Sequence, residues 1–203
     1  MIAIIDYGMG NLGSVKKALD FIGYENCITD DPAIAGKADA MVLPGVGAIS
    51  HAMRQLSEKK LDRAVRDFID SDRPFLGICL GMQMLFETSD EYCESGNIVT
   101  GLGILPGTVR RFSPAPGLKV PQIGWNRLEK VSSSTLRQGD YVYFVHSYYC
   151  DPARESDIAA YADYGFLYAA AIERDNVLGM QFHPEKSGEA GLAILDRWAR
   201  RIG

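Results

Sequence analysis

A chain of 203 residues is long enough for one α/β domain with a substantial core and too short for two well-separated ones. Hydrophobic residues make up 47% and charged residues 23%, and the formal net charge of -5 arises from interspersed acids and bases. That pattern excludes the basic stripe a nucleic-acid binder needs to neutralise phosphates. Met1 to Asp6 lacks the basic flank of a signal peptide, and no apolar run approaches the roughly 18 residues of a membrane span. The expectation is a single domain over residues 1–203, working in the cytoplasm. Cysteines stand at 27, 79, 93 and 150. Without a signal peptide they are expected as free thiols, since cytosolic thiols stay reduced. No pair has CxxC spacing and no HExxH occurs, so neither a metal site nor a cofactor is expected.

In chain order, residues 2–6 read as a buried strand and Asn11 to Gly23 as a helix capped by Asn11. Residues 24–29 form a weaker strand and Asp39 to Pro44 a strong one. A long helical region runs from about Ser50 to Ser71. Residues 74–78 read as a further buried strand and Leu80 to Glu87 as a helix. This alternation implies a mostly parallel sheet covered by helices on both faces. Beyond about Gly96, Gly and Pro punctuate short strand-like runs at 103–111, 118–130, 141–150, 157–163, 167–173 and 176–182. These predict hairpins and a mixed β extension, closed by a helix from Glu189 to Arg201.

The sharpest local signal is Gly77-Ile78-Cys79-Leu80-Gly81, at the end of a strand and the start of a helix. It has the shape of a nucleophile elbow with cysteine in the serine position. Small residues two either side of the nucleophile permit a tight turn that exposes its side chain. The helix N-terminus presents free N–H groups and a positive dipole end, which favours a thiolate at Cys79. The Leu80 amide is placed to donate to an oxyanion. The competing reading is a buried core cysteine, which is common.

A cysteine nucleophile needs a base, and the sequence holds three histidines. His51 lies early in a charged helical stretch and reads as a surface residue. His146 lies in the aromatic run Tyr143 to Tyr149, as a structural or substrate-pocket residue. His183 ends an apolar strand in Gln181-Phe182-His183-Pro184-Glu185. In an extended segment residues two apart share a side, so Glu185 can reach the imidazole and hold its tautomer. Pro184 stiffens the span. The alternative is a strand-end histidine beside a solvated glutamate.

Taken together, Gly77 to Gln83 and, about a hundred residues on, Gln181 to Glu185 resemble the class I glutamine amidotransferase family. The resemblance implies that Cys79 attacks the side-chain amide of L-glutamine, that His183 protonates the departing ammonia and then activates water, and that Glu185 orients His183. Asp6 to Asn11, Pro44 to Ala48, Gly124-Trp125-Asn126 and Tyr143 to Tyr148 look like one branch of that family. Its members serve as the glutaminase subunit beside a separate (β/α)8-barrel cyclase in histidine biosynthesis. The matching segments run from residue 2 to residue 187. Gln122 departs from the pattern, standing where many relatives carry His, near the expected partner surface.

By the same resemblance, Val46 and Gly47 offer the second oxyanion donor from a backbone amide. A glycine-flanked peptide rotates with little steric penalty, so the Val46 peptide is read as an adjustable donor set by the partner. Gln83 is expected beside the substrate, Glu91 at its α-ammonium, and Ser147 and Tyr148 at its carboxylate through backbone groups. Asn11, Trp125, Tyr143 and Lys186 are candidates for the partner interface and the ammonia route.

One competing pattern is Gly8-Met9-Gly10-Asn11-Leu12-Gly13, a G-x-G-x-x-G match after a strand, with Asp30 or Asp31 about 20 residues on. A dinucleotide site there would explain neither the cysteine elbow nor the His-Pro-Glu segment. An inactive module that binds a partner, and a cysteine peptidase or γ-glutamyl hydrolase, are further alternatives. The first is disfavoured by the intact Cys79, His183 and Glu185. The second needs an open cleft for a larger substrate.

Overall fold

The computed structural model describes residues 1–91, 98–113 and 118–202; Cys93 lies outside them. Its frame is an 11-stranded sheet, with the parallel strands β1 (Ile2–Ile5), β2 (Asn26–Thr29), β3 (Ala40–Gly45), β4 (Phe75–Cys79) and β13 (Val177–Met180) in the order β2-β1-β3-β4-β13. Every residue of β1, β3, β4 and β13 is buried. That is why these segments read as continuous apolar runs rather than alternating ones. Alternation reappears in what each side chain meets. Ile2, Ile4, Val42, Leu76 and Ile78 share one core layer with Val15, Leu19 and Trp198. Ala3, Ile5, Met41, Leu43 and Phe75 enter the opposite layer with Leu56, Val65 and Phe68.

Helix α1 (Leu12–Phe21) and helix α6 (Gly188–Ala199) cover the first face. Helices α3 (Ile49–Glu58) and α4 (Leu61–Ile69) cover the second. In α4, Leu61, Val65, Phe68 and Ile69 are buried, the spacing of one helical face. The long helix expected over 50–71 is therefore two, broken where Lys60 turns left-handed at φ 58°. A short helix α2 (Pro32–Ala35), capped by Asp31 accepting from Ala33 N–H at 2.8 Å, was not expected. Asn11 occupies the cap position of α1, but its side chain makes no capping hydrogen bond.

The second half departs further. The helix expected over 80–87 is only α5 (Leu80–Gln83), and Phe86 opens strand β5 (Phe86–Ser89). Met82, Met84, Leu85 and Phe86 are all buried, and a continuous apolar run does not distinguish helix from strand. Beyond β13 the sheet continues through β12 (Leu167–Arg174), β10 (Tyr148–Pro152), β7 (Leu105–Arg111), β5 and β6 (Val99–Thr100), with β11 (Ile158–Asp163) paired to β12. The run at 141–150 breaks at Ser147. Its first part, β9 (Tyr141–His146), leaves the main sheet and pairs with β8 (Gln122–Arg127) as a separate antiparallel ribbon.

Candidate active site

In open α/β sheets, functional crevices form at the carboxyl ends of the strands. Here β3, β4 and β13 are parallel neighbours, with Gly45 opposite Cys79 and Met180 opposite Ile78. Their ends bring the Val46–Gly47 turn, Cys79 and the Gln181–His183 segment to one place, although they are far apart in sequence.

Cys79 sits on a strand-to-helix turn at φ 54°, ψ -108°, a conformation L residues rarely adopt. Backbone strain of this kind costs about 1–3 kcal/mol and persists only where the surroundings enforce it. The enforcement is visible at the glycines. A Cβ on Gly81 would lie 1.8 Å from the Leu43 carbonyl oxygen, and one on Gly77 would lie 2.9 Å from the Gly81 backbone. The flanking glycines are therefore required by close packing of the turn on β3 and on itself.

His183 is 2% exposed, and its Nδ1 meets Glu185 Oε1 at 2.8 Å. The contact arises differently from the sequence expectation. Pro184–Lys186 is a turn of 3₁₀ helix, so Glu185 curls back to the ring instead of lying two places along a strand. Nε2 is buried with no well-aligned hydrogen bond. The Cys79 sulfur is near enough to influence its titration, in a contact that does not meet hydrogen-bond geometry. Burial alone would lower the imidazole pKa, but the neighbouring Cys79 sulfur and the Glu185 carboxylate outweigh it and push the value up to about 9. The arrangement sets an imidazole, held at Nδ1 by Glu185, in the cleft that Cys79 lines, where it can take the thiol proton.

Cys79, Leu80, Val46, Gly47, Gln83 and Glu91 line one cleft of about 460 Å³, within the size range of small-molecule sites. Ser147, Tyr148, His183 and Lys186 line it as well, with Pro121, Val145 and His146. Other clefts of similar size, one along Pro32, Arg63 and Arg73 and one along Asp70, Asp72 and Arg174, bring no nucleophile beside a base.

Several expected contacts are more specific than the sequence suggested. Gln83 is buried, and its amide donates to the Tyr148 carbonyl at 3.1 Å and to Gln181 Oε1 at 3.0 Å. Glu91 Oε2 accepts from Ser50 N–H at 3.3 Å, at the start of α3, and burial raises its carboxyl pKa. The Ser147 carbonyl accepts from Phe112 N–H at 2.9 Å. His51 is exposed. His146 is buried, with Nδ1 2.7 Å from the Tyr148 carbonyl; burial is the main reason its pKa falls to about 4, the charge of His183 adding to it. Asn11, Trp125 and Tyr143 lie outside the cleft lining. Asp30 pairs with Lys59 at 3.3 Å, and Asp31 caps α2, so both acids of the dinucleotide pattern have structural partners.

Two groups at the site escaped the sequence reading. Tyr7 is buried, and its hydroxyl donates to the Pro44 carbonyl at 3.0 Å, pinning the start of the Val46 turn. Gln181 donates to Cys79 Sγ at 3.7 Å. Both partners are reached only through the tertiary fold.

A parallel α/β sheet that holds a cysteine elbow at its carboxyl edge defines a recognisable class of enzyme scaffold. Residues 3–201 match the family model described as glutamine amidotransferase class-I, and the chain belongs to that family of glutamine-hydrolysing enzymes. It is 48% identical to "Imidazole glycerol phosphate synthase subunit HisH" of Syntrophotalea carbinolica, over 96% of this chain and 97% of that one. It is 47% identical to the protein of the same name in Microcystis aeruginosa, over 100% and 96%, and in Aquifex aeolicus, over 98% and 95%. Among solved structures, "Crystal structure of glutamine amidotransferase" aligns with TM-score 0.73 at 20% identity, covering 98% of this chain and 100% of that one. "Structure of PurLQS from Thermotoga maritima" aligns with TM-score 0.72 at 16% identity, covering 100% and 98%. Those two show the shared fold.

Proposed function

We infer that this chain is the glutaminase subunit of an imidazole glycerol phosphate synthase, acting as one domain in the cytoplasm. The observation that carries the chemistry is Cys79 on its strained turn, sharing one cleft with a His183 that Glu185 holds at Nδ1. In this mechanism the Cys79 thiol gives its proton to His183, and the sulfur attacks the side-chain amide carbon of L-glutamine. The C=O electron pair moves to oxygen, which the Leu80 and Val46–Gly47 amides receive. Collapse restores the carbonyl, breaks the C–N bond and releases ammonia with the proton from His183. His183 then takes a proton from water, the hydroxide attacks the thioester, and the sulfur leaves to regenerate the enzyme with glutamate as product. One oxyanion donor is worth roughly 2.7–4 kcal/mol, so rotating the Val46 peptide would change the rate by about 10²–10³.

The ammonia goes to a partner, the (β/α)8-barrel cyclase, for synthesis of imidazole glycerol phosphate and aminoimidazole carboxamide ribotide. The β8–β9 ribbon supports a docking role. On its outer face Ile123 pairs with Val145 and Trp125 with Tyr143. Ile123 is 63% exposed, Trp125 55% and Tyr141 59%. Large aromatic side chains left in water on one face are the residues that anchor interfaces. Lys186 at the cleft and Asn11, whose side chain makes no cap bond, are the polar candidates along the ammonia route. Cys27, Cys79 and Cys150 are free thiols, in keeping with a reducing compartment. No described helix is long and apolar enough to cross a membrane.

The test is glutamate release by the purified chain, alone and with a cyclase subunit and its nucleotide ligand. Cys79→Ala should abolish glutamine-dependent synthesis and leave synthesis from added ammonia intact. Equal loss of both would make Cys79 a structural residue.

A further inference from the structure

Gln181 has no exposed surface and follows directly on β13, beside the elbow. The oxygen and nitrogen of a side-chain amide are not distinguished by shape, so their assignment must come from partners that cannot reverse. Here that partner is the Tyr148 backbone carbonyl, which only accepts. Gln83 must present its NH2 group to it, at 3.1 Å, and the same nitrogen lies 3.0 Å from Gln181. Gln181 must therefore present its oxygen to Gln83, which leaves its own NH2 facing Cys79 Sγ at 3.7 Å. The Tyr148 carbonyl is itself held by His146 Nδ1 at 2.7 Å. A backbone carbonyl thus dictates, through two buried amides, that a hydrogen points at the sulfur.

We propose that Gln181 is a catalytic residue, a fixed hydrogen-bond donor to the sulfur of Cys79 whenever that sulfur is anionic. This rests on Cys79 being the nucleophile of glutamine hydrolysis. When the thiol proton passes to His183, the sulfur keeps the electron pair and its bond from Gln181 becomes charge-assisted and stronger. With His183 and Gln181 each occupying a direction around the sulfur, the remaining electron density faces the cleft. Thioester formation removes the sulfur's charge and weakens the bond. Hydrolysis of the thioester expels the sulfur as an anion and restores it, so one donor serves both the attack and the departure.

Gln181→Leu and Gln181→Met separate this role from packing. Each fills much of the buried side chain's volume and offers the sulfur no hydrogen. The full chain, with its cyclase partner, is treated with iodoacetamide between pH 5 and 9. Cys79→Ala supplies the correction for other thiols. Glutaminase rate and thermal unfolding are measured in parallel. Both variants should alkylate Cys79 about two- to tenfold more slowly near pH 7, as loss of one hydrogen bond predicts, with the pH profile displaced upward and kcat reduced. Folded variants with the wild-type alkylation profile would overturn the proposal. If neither variant folds, Gln83→Met, which leaves Gln181 present but unaimed, decides by the same readout. An unmodified protein that alkylates normally yet releases no glutamate in the complex would overturn the glutaminase reading instead. The Gln181 comparison would remain readable in that case.

Discussion

Acidification from pH 7 to pH 5 should destabilise the folded protein by about 2 kcal/mol through His146 alone. Its imidazole is buried and held neutral, with a pKa lowered from 6.5 to about 4. At pH 5 the unfolded imidazole is almost fully protonated, whereas the folded one is nearly all neutral. The unfolded state then binds more protons, so stability falls as pH falls. The contribution is intact above pH 6.5 and is lost progressively down to about pH 4. Linkage over those values gives near 2 kcal/mol at pH 5 and a few tenths at pH 7. His183, raised to about 9, acts in the opposite sense: its stabilisation is full below 6.5 and is lost as pH rises toward 9. The comparison that isolates His146 is therefore with His146→Asn, whose side-chain amide still offers a donor to the Tyr148 carbonyl but does not titrate. Urea unfolding of both proteins at pH 7 and pH 5 gives four free energies. The wild type should lose about 2 kcal/mol more than the variant over that interval. Parallel losses would refute the reasoning and mean that His146 is solvated or charged in the folded state.

Glu185→Gln should slow glutamine hydrolysis by about 10²–10⁴, the range for general acid–base catalysis, with synthesis from ammonia preserved. The alkaline limb of its pH–rate profile should move to lower pH, because one of the groups holding the imidazolium is gone; an unmoved limb would contradict that. Gly81→Ala should cost at least about 2 kcal/mol by overpacking against the Leu43 carbonyl, lowering Tm by roughly 4–8 °C. An unchanged melting curve would show that the turn can open. Ser187→Ala should cost about 1–3 kcal/mol, since Ser187 Oγ is buried, accepts from Tyr143 N–H at 2.9 Å and donates to the His183 carbonyl at 2.6 Å. Denaturant unfolding that leaves stability untouched would mean that another group replaces the bridge.

The parallel half of the fold is legible in sequence because β1, β3, β4 and β13 are buried on both faces and read as continuous apolar runs, while the partly exposed β2 reads weakly. The cysteine elbow is legible because turn, nucleophile and both glycines lie within five residues. What the sequence hides depends on tertiary choice. Lys59 and Lys60 are both ordinary helix formers, so nothing local marks the left-handed Lys60 that separates α3 from α4. Met84 to Phe86 are apolar whichever way they fold, so the early end of α5 leaves no mark. The 141–150 run gives no hint that its two parts belong to different sheets. Glu185 reaches His183 through a 3₁₀ turn that alternation cannot predict. Gln83 and Gln181 are 98 residues apart, and Tyr7 and Pro44 are 37 apart, so their hydrogen bonds exist only once the strands are ordered.

The groups around the cleft differ in what holds them. Cys79 is fixed by the sheet: its turn is trapped between β3 and α5, and no surface element is needed to set it. His183 is held from the ribbon side, because its N–H donates to the Tyr143 carbonyl at 2.9 Å and its carbonyl receives the Ser187 hydroxyl that Tyr143 N–H also meets. The ring of that same Tyr143 stands on the outer face, 6.1 Å from Trp125 in an edge-on pair. The Val46 turn is pinned only at its start by Tyr7, while Val46 itself is 39% exposed and Gly47 has φ +93°. The proposed nucleophile therefore belongs to the buried interior, whereas the proposed base and oxyanion donor each lie one residue from an exposed surface. If docking biases either of those surfaces, it alters proton transfer and oxyanion binding without moving the sulfur.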